Sequence, residues 1–202
     1  MKIWRNYSEY LLSGEWHIHT NYADGKNTIR EYCQVAVKKG IPLLAFTEHV
    51  RCKLDYDFNH LIQDIELARR DFDITILSGC EAKILPNGEL DVDPSILREV
   101  DYGIFACHSF PSDVNLYKTC LKKVIKNKYV NTWAHPGSFL SKNRMKLSNQ
   151  ELMDIFTLLK EFDVLLELNK KHNTPPPSWI RLAERCGVKL VRGSDIHSIL
   201  EM

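Results

Sequence analysis

The sequence predicts an α/β fold, a distorted (β/α)7 barrel, and three observations lead to this prediction. Seven short apolar segments alternate with segments of mostly helical periodicity along the 202 residues. Such alternation is typical of right-handed βα units and a mainly parallel sheet. Histidine or carboxylate residues follow six of the seven apolar segments. Since only a closed barrel brings the ends of its first and last strands to one mouth, this third observation favours a barrel over an open sheet.

The predicted strands are short runs in which aliphatic, aromatic and β-branched residues dominate. They cover residues 16–20, 43–47, 74–77, 102–107, 129–134, 164–168 and 189–192. In a parallel barrel the polar residues at their carboxyl ends point towards a common opening. We therefore expect the functional residues at that end of the barrel.

Five segments between the strands are predicted helices. They cover residues 28–39, 58–70, 113–127, 149–162 and 177–186. In the first of them Ile29, Cys33 and Val37 recur on one face, and Gly40 provides a C-terminal stop. The other four show the same spacing of apolar residues, which predicts that each helix packs one face against the sheet.

Local sequence signals mark where several helices begin. Ser148 and Glu151 form a capping-box pattern, and Pro177 stands at the start of the last predicted helix. The segment 86–100 is expected to be irregular, with only a short helix after Pro94.

Length and composition predict a single domain over residues 1–202. The net charge of +1 offers no electrostatic basis for binding bulk nucleic acid or a membrane surface. The six cysteines show no CxxC spacing, and no continuous apolar run at residues 1–12 indicates a signal peptide. No stretch is long enough to span a bilayer. We expect a cytoplasmic protein, and the sequence does not predict its oligomeric state.

Six of the eight histidines lie at the ends of apolar segments, several of them beside acids. His17 and His19 are two residues apart, as are Asp195 and His197, so each pair projects from one face of an extended strand. The candidate metal ligands are His17, His19, Asp24, His49, Glu81, His108, His135, Asp195 and His197. Mixed imidazole and carboxylate ligands suit zinc, manganese or iron. Nine candidates are too many for one tetrahedral ion and are enough for two or three divalent ions.

These residues resemble the motifs of the PHP-domain family, the polymerase and histidinol phosphatase family of metal-dependent phosphoesterases. The similarity extends from about residue 15 to residue 198. It consists of His17–Ile18–His19, Ala23–Asp24–Gly25, Thr47–Glu48–His49, Glu81, His108, His135–Pro136 and Gly193–Ser194–Asp195–Ile196–His197.

The resemblance implies three metal sites. One would be formed by His17, His19, Glu81 and Asp195, a second by Glu81, His108 and His135, and a third by Asp24, His49 and His197. It further implies that a metal-bridging hydroxide attacks the phosphorus of a small phosphorylated metabolite. Asp195 and Glu81 are the expected catalytic residues, together with Arg144.

Two features of the sequence leave the substrate open. Glu15 stands where the family usually has Asp, and it is expected to orient a ligand by hydrogen bonding. The chain is also shorter than typical histidinol phosphatases of the family, so the substrate pocket is expected to differ. The candidate phosphate anchors are Lys142, Arg144, Lys170, Lys171 and Arg192, with Asn169 as a further inward-facing residue.

Phosphomonoester hydrolysis is the leading functional prediction, with histidinol phosphate as one candidate substrate. A PHP-type nuclease or phosphodiesterase is the first alternative, although the chain has no basic tract. A non-catalytic metal-binding domain is the second. Amidohydrolases also begin with HxH, but they usually bridge their metals with a modified lysine, whereas Glu81 fills that position here. His60 and His172 are expected to be solvated surface residues, and Glu48 is expected to face away from the site.

Overall fold

A computed structural model describes residues 2–202, and its centre is a sheet of seven parallel strands in chain order. The strands are β1 (Glu15–Ile18), β2 (Leu43–Val50), β3 (Thr75–Lys83), β4 (Tyr102–Ala106), β5 (Val130–Trp133), β6 (Leu165–Leu168) and β7 (Leu190–Arg192). Each strand pairs in parallel with the next, because an intervening segment returns the chain to the same end of the sheet.

Seven helices occupy the connections between the strands. They are α1 (Ile29–Lys39), α2 (Phe58–Asp71), α3 (Pro94–Glu99), α4 (Val114–Ile125), α5 (Ser138–Lys142), α6 (Asn149–Glu161) and α7 (Pro177–Arg185). Thr28 and Ser148 close reciprocal capping boxes with Glu31 and Glu151. Asp57, Asp93 and Asp113 cap α2, α3 and α4 through their carboxylates. The five predicted helices and the short helix after Pro94 are thus confirmed.

The sheet curls until its first strand meets the chain just after its last strand. Ile196 donates from its backbone nitrogen to the carbonyl of His17 at 3.0 Å, and His19 donates to the carbonyl of Ile196 at 2.8 Å. Register shifts between β1 and β2, and between β4 and β5, make the closure irregular. The predicted distorted (β/α)7 barrel is therefore confirmed.

Apolar side chains fill the barrel and both of its flanks. Inside, Trp16, Tyr102 and Leu165 belong to a buried cluster to which Trp4 and Leu11 contribute from the N-terminal segment. One outer cluster packs α1, α2 and α3 on the first three strands, and another packs α4, α6 and α7 on strands β4 to β6. The polar residues of the site consequently lie at the carboxyl ends of the strands, at the end of the barrel away from this N-terminal segment.

Two strands extend beyond their predicted ends. β2 continues to Val50 and β3 to Lys83, so His49 and Glu81 lie within strands and are direct register partners. The sequence underestimates both strands because polar side chains interrupt the apolar runs at Glu48 and Ser78. This extension holds the Glu81 backbone between two neighbouring strands.

Three short elements are absent from the sequence prediction: α5 and two 3₁₀ segments, Ile3–Tyr10 and Ile199–Glu201. No helix within residues 2–202 is both long and apolar enough to cross a membrane. All six cysteines are free thiols.

Candidate metal centre

The buried carboxylate of Glu81 lies at the middle of five imidazoles. Its Oε2 is 3.6 Å from Nε2 of His17, 3.5 Å from Nε2 of His19 and 3.0 Å from Nδ1 of His49. Its Oε1 is 3.3 Å from Nε2 of His108 and 2.9 Å from Nε2 of His135. Both oxygens of one carboxylate therefore face separate groups of histidines, which is the arrangement that a bridging ligand requires.

Asp195 joins His17 and His19 on one side of Glu81. Its Oδ1 is 3.2 Å from Nε2 of His19 and 3.7 Å from Nε2 of His17. Asp195 has a positive φ of 53°, an uncommon conformation for a residue with a side chain. Because the next residue, Ile196, makes both hydrogen bonds of the barrel closure, the Asp195 carboxylate is held beside the first strand.

Asp24 lies with three histidines at the outer edge of the centre. Its Oδ2 is 3.5 Å from Nε2 of His49 and 3.3 Å from Nε2 of His197, and His19 has a nitrogen in the same group. The Asp24 turn approaches the barrel closely because Gly25 follows it: a Cβ on Gly25 would lie 2.2 Å from the carbonyl oxygen of His19. The structure thus brings eight of the nine predicted ligands into three adjoining groups, and the ninth, His135, lies beside Glu81.

The groups differ in four details from the assignment that the family resemblance implies: two histidines are shared between groups, Glu81 is grouped with His49 and His108 alone, and His135 is in none of the groups. His19 lies within reach of both the Asp195 group and the Asp24 group. His49 lies within reach of both the Asp24 group and the group that contains Glu81 and His108. His135 approaches Glu81 as a hydrogen-bond partner.

Glu167 supports the centre from behind, and the sequence analysis did not identify it. The carboxylate accepts a hydrogen bond from Nδ1 of His17 at 2.6 Å and others from the backbone nitrogen of His135 and the side chain of Asn169. A carboxylate on the remote nitrogen of a metal-binding histidine fixes the ring orientation and increases its basicity. The alternation of side chains along a strand could have identified Glu167, because it shares a strand face with Asn169, a residue that the sequence predicts to face inward.

Glu15, at the start of β1, contacts the chain at the carboxyl end of the last strand. Its carboxylate accepts hydrogen bonds from the backbone nitrogen and hydroxyl of Ser194 at 2.7 and 2.9 Å, and it lies 3.3 Å from Nε of Arg192. Burial raises the pKa of Glu15 to about 7, although Arg192 and Ser194 oppose the shift. Glu15 therefore anchors the residue immediately before Asp195.

The titratable groups of the centre shift each other's pKa values in opposite directions. Burial disfavours the charged form of His17, but Glu167 and Glu81 outweigh it and raise its pKa well above 6.5. Burial lowers the pKa of His19 to about 3. Burial also opposes ionisation of Glu81 and Asp195, yet hydrogen bonds and charge from the surrounding histidines hold both pKa values well below the ordinary range. The centre thus combines histidine nitrogens with carboxylates that stay ionised, and these carboxylates attract cations.

Comparison with known proteins identifies the family. A model of the PHP domain matches residues 15–171. The chain belongs to the PHP-domain family. It is 30% identical over 199 residues to a protein of Aliivibrio fischeri named probable phosphatase, covering 90% of this chain and 76% of that protein. The resemblance inferred from the motifs is thereby confirmed.

Two further comparisons place this PHP domain among larger and more distant proteins. It is 30% identical to the DNA polymerase/3'-5' exonuclease PolX of Bacillus subtilis over 93% of its own length, but it spans only 35% of that protein. Its fold is similar to the crystal structure of a Lactococcus lactis histidinol phosphate phosphatase complexed with zinc, L-histidinol and phosphate. That likeness has a TM-score of 0.70 at 18% identity and covers 93% of this chain and 88% of the other. At this identity it concerns the fold alone.

The donor set of this PHP domain fits divalent transition metals. Nδ1 of His19, Nδ1 of His49 and Oε2 of Glu81 are buried without a hydrogen-bond partner in residues 2–202. Such atoms cost free energy when left unpaired, and a cation among them would remove that cost. Imidazole and carboxylate ligands together match the preferences of zinc, manganese and iron.

His172 is closer to the centre than the sequence predicts. It was expected to be a solvated surface residue, but its Nε2 lies 2.8 Å from Oδ2 of Asp195, and its ring packs 4.8 Å from that of His135. The expectation fails because the turn after β6 folds back over the barrel mouth: Asn169 and Thr174 exchange backbone hydrogen bonds. His60, by contrast, is exposed, and Glu48 points away and accepts from the backbone nitrogen of Thr20.

A cleft of about 300 Å³ opens above the histidines. Lys142 and Lys171 line it, and Nζ of Lys171 donates to Nδ1 of His197 and lies 3.3 Å from Oδ2 of Asp195. Of the other predicted phosphate anchors, Arg192 is paired with Glu15 and Lys170 is exposed, whereas Arg144 lines the neighbouring cavity. Two cations thus face the centre directly.

Proposed function

We propose that this PHP domain hydrolyses a small phosphomonoester with the aid of two or three divalent ions, of zinc, manganese or iron. The observation that carries the proposal is the position of Glu81, whose two carboxylate oxygens face separate groups of histidine nitrogens. Two ions sharing one carboxylate form the type of site that stabilises both the attacking and the leaving oxygen in phosphoryl transfer.

The protein supplies the ligands in three groups that share members. His17, His19 and Asp195 would hold one ion together with Glu81, and Glu81 with His108 and His135 would hold the next. Asp24, His49 and His197 would hold a third. When bound, the ions would supply Lewis acidity and a water of lowered pKa.

The lysines of the cleft complete the charge balance. A phosphomonoester brings up to two negative charges into a centre that already holds the ionised Glu81 and Asp195. Lys142 and Lys171 line the same cleft and would bind the non-bridging phosphate oxygens. In transition states of phosphoryl transfer these oxygens carry much of the charge, so fixed cations there contribute to the rate.

The relatives support this class of reaction. The Aliivibrio fischeri relative is named a phosphatase, and the Lactococcus lactis fold neighbour binds zinc, histidinol and phosphate. Histidinol phosphate therefore belongs in the first panel of substrates.

A nuclease or phosphodiesterase function is the second candidate. The similarity to the Bacillus subtilis polymerase and exonuclease favours it, but the chain spans only 35% of that protein. The net charge of +1 provides little of the phosphate-backbone attraction that nucleic-acid binding requires.

The test is phosphate release by the purified protein after reconstitution with zinc, manganese or iron(II). The panel contains histidinol phosphate, other phosphomonoesters, a phosphodiester and single-stranded DNA. We expect turnover of at least one monoester and its loss in Asp195→Asn. Asp154→Asn, at an exposed position of α6, is the control and should retain activity. Cleavage of diesters or DNA without monoester turnover would favour the second candidate, and no cleavage of any substrate would contradict catalysis.

A further inference from the structure

A second and larger cavity adjoins the metal-centre cleft. It has a volume of about 720 Å³, against about 300 Å³ for the cleft, and we call it the side cavity. Ser138, Lys142 and His172 line both spaces. A substrate whose phosphoryl group lies in the cleft can therefore extend the rest of its structure past these three residues into the side cavity.

Two hydrogen-bonded segments form the walls of the side cavity. One is α5 with the turn that follows it, where the backbone nitrogen of Met145 donates to the carbonyl of Leu140 at 2.9 Å. The other is the turn after β6, closed by paired hydrogen bonds between Asn169 and Thr174. These bonds indicate that the cavity is a formed feature of the barrel mouth.

The Lys and Arg side chains that line the side cavity are not balanced by any acidic residue among the described lining residues. Lys142, Arg144 and Lys146 all line it, and none of its described lining residues is Asp or Glu. None of the three cations forms an ion pair with any residue in the range 2–202, unlike Lys171, which faces Asp195. Arg144 also holds a positive φ of 54°, a conformation that a glycine adopts more readily. The cavity therefore presents uncompensated positive charge to whatever occupies it.

The remaining lining is largely apolar. Leu140, Met145, Leu147, Pro176 and Trp179 contribute side chains to the same cavity. Met145, Leu147 and Trp179 are each partly exposed, so their apolar surfaces are available for contact. An apolar wall beside a cluster of cations matches a ligand with a hydrocarbon or ring body and a negative group.

We propose that the side cavity receives the leaving group of the substrate and selects one with an apolar or aromatic body and a second anionic group. The proposal rests on the proposed phosphomonoesterase function and refines its substrate class. A leaving group that carries an amine, such as that of histidinol phosphate, would place positive charge among three unpaired cations. Arg144 and Lys146 are thus assigned as specificity-determining residues, whereas Lys142 lines both spaces and is a proposed phosphate-binding residue of the cleft.

The test uses three aryl phosphates that share a two-carbon side chain on the ring and differ in the group at its end. They are 3-(4-phosphonooxyphenyl)propionate, 4-ethylphenyl phosphate and O-phosphotyramine. Their side chains are anionic, neutral and cationic, respectively. Because two methylene groups separate the charge from the ring, the phenol leaving groups are closely matched in reactivity. We expect kcat/KM to fall in that order by about tenfold overall, since each ion pair with an exposed cation contributes a few-fold.

Substitution then assigns the preference to the cavity. In Arg144→Gln combined with Lys146→Gln, the ratio of kcat/KM for the anionic over the cationic substrate should fall towards one. Lys38→Gln, at an exposed position of α1, should leave the ratio unchanged. An equal loss for all three substrates in the double variant would contradict the assignment and would instead make these residues anchors of the transferred phosphate.

The outcomes separate this inference from the function on which it depends. If none of the three aryl phosphates nor any other monoester is hydrolysed, the proposed function fails. If they are hydrolysed at equal rates, or the cationic one is preferred, the function stands and the charge selection is wrong. The wild-type comparison alone decides this point, so it does not depend on the folding of any variant.

Discussion

Glu167 occupies space that exists only because residue 193 is glycine. A Cβ built on Gly193 would lie 2.0 Å from Oε1 of Glu167, the oxygen that accepts the hydrogen bond from His17. The glycine directly after the last strand thus makes room for the carboxylate that orients a histidine in the first strand. This contact links the two edges of the barrel where they close.

The contact predicts that Gly193→Ala damages both stability and activity. The added methyl must displace Glu167, and overpacking of this kind costs about 1–3 kcal/mol. Displacement also removes the partner of His17, so metal binding should weaken. Urea denaturation and metal titration of the variant measure the two effects.

The double variant Gly193→Ala with Glu167→Ala supplies the control. Truncation of Glu167 removes the atoms that the new methyl would meet, so the two substitutions should be non-additive by at least about 1 kcal/mol in the free energy of unfolding. Strictly additive changes in the free energy of unfolding would mean that residues 167 and 193 do not contact each other in solution.

Glu167→Gln tests the electrostatic part of the same interaction. Glutamine retains an oxygen that can accept from Nδ1 of His17 but lacks the negative charge. We expect metal affinity to fall about 10–100-fold, the usual effect of losing a carboxylate behind a histidine ligand. Competition with a chelating dye measures the affinity, with the exposed Glu161→Gln as the matched control. Equal metal affinities in the two variants would show that the charge of Glu167 does not contribute to metal binding.

Glu81→Gln should reduce the number of bound ions. A neutral amide cannot bridge two cations as a carboxylate does, so we expect at least one ion fewer per chain by elemental mass spectrometry. Glu48→Gln is the matched control, because Glu48 is equally buried but accepts from Thr20 outside the centre. Full metal content in Glu81→Gln would show that this carboxylate does not bridge.

Glu48 itself predicts a pH dependence of stability. Burial raises its pKa to about 8 from an ordinary 4.5, against hydrogen bonds from Thr20. Between these values the unfolded chain has lost a proton that the native protein retains, so the contribution is complete below pH 4.5 and is lost as the pH rises through 8. Relative to Glu48→Gln, the metal-free wild type should lose up to about 1.4 kcal/mol per pH unit across this window.

The comparison requires urea denaturation of both metal-free proteins at pH 5.5, 6.5 and 7.5. Other groups titrate in both proteins, so their contributions cancel in the difference. Parallel profiles would show that Glu48 has an ordinary pKa in the native protein.

The barrel, and the convergence of the candidate ligands at its mouth, were predictable because both are encoded in local patterns. Alternating strand and helix periods and the HxH spacing of His17 and His19 do not depend on distant contacts. The supporting residues, by contrast, depend on distant contacts. Glu167 accepts a hydrogen bond from His17, which is far from it in the sequence, and His172 reaches Asp195 only because the turn at Asn169 folds back. Such contacts between distant segments leave no periodic signal in one sequence.

Anomalous X-ray scattering from crystals of the manganese- or zinc-reconstituted protein tests the polynuclear centre most directly. We predict at least two metal peaks about 3.5–4 Å apart. The carboxylate of Glu81 should lie between them, with His17, His19 and Asp195 on one side and His108 and His135 on the other. A single peak, or peaks that Glu81 does not contact, would contradict the polynuclear centre on which the proposed phosphatase rests.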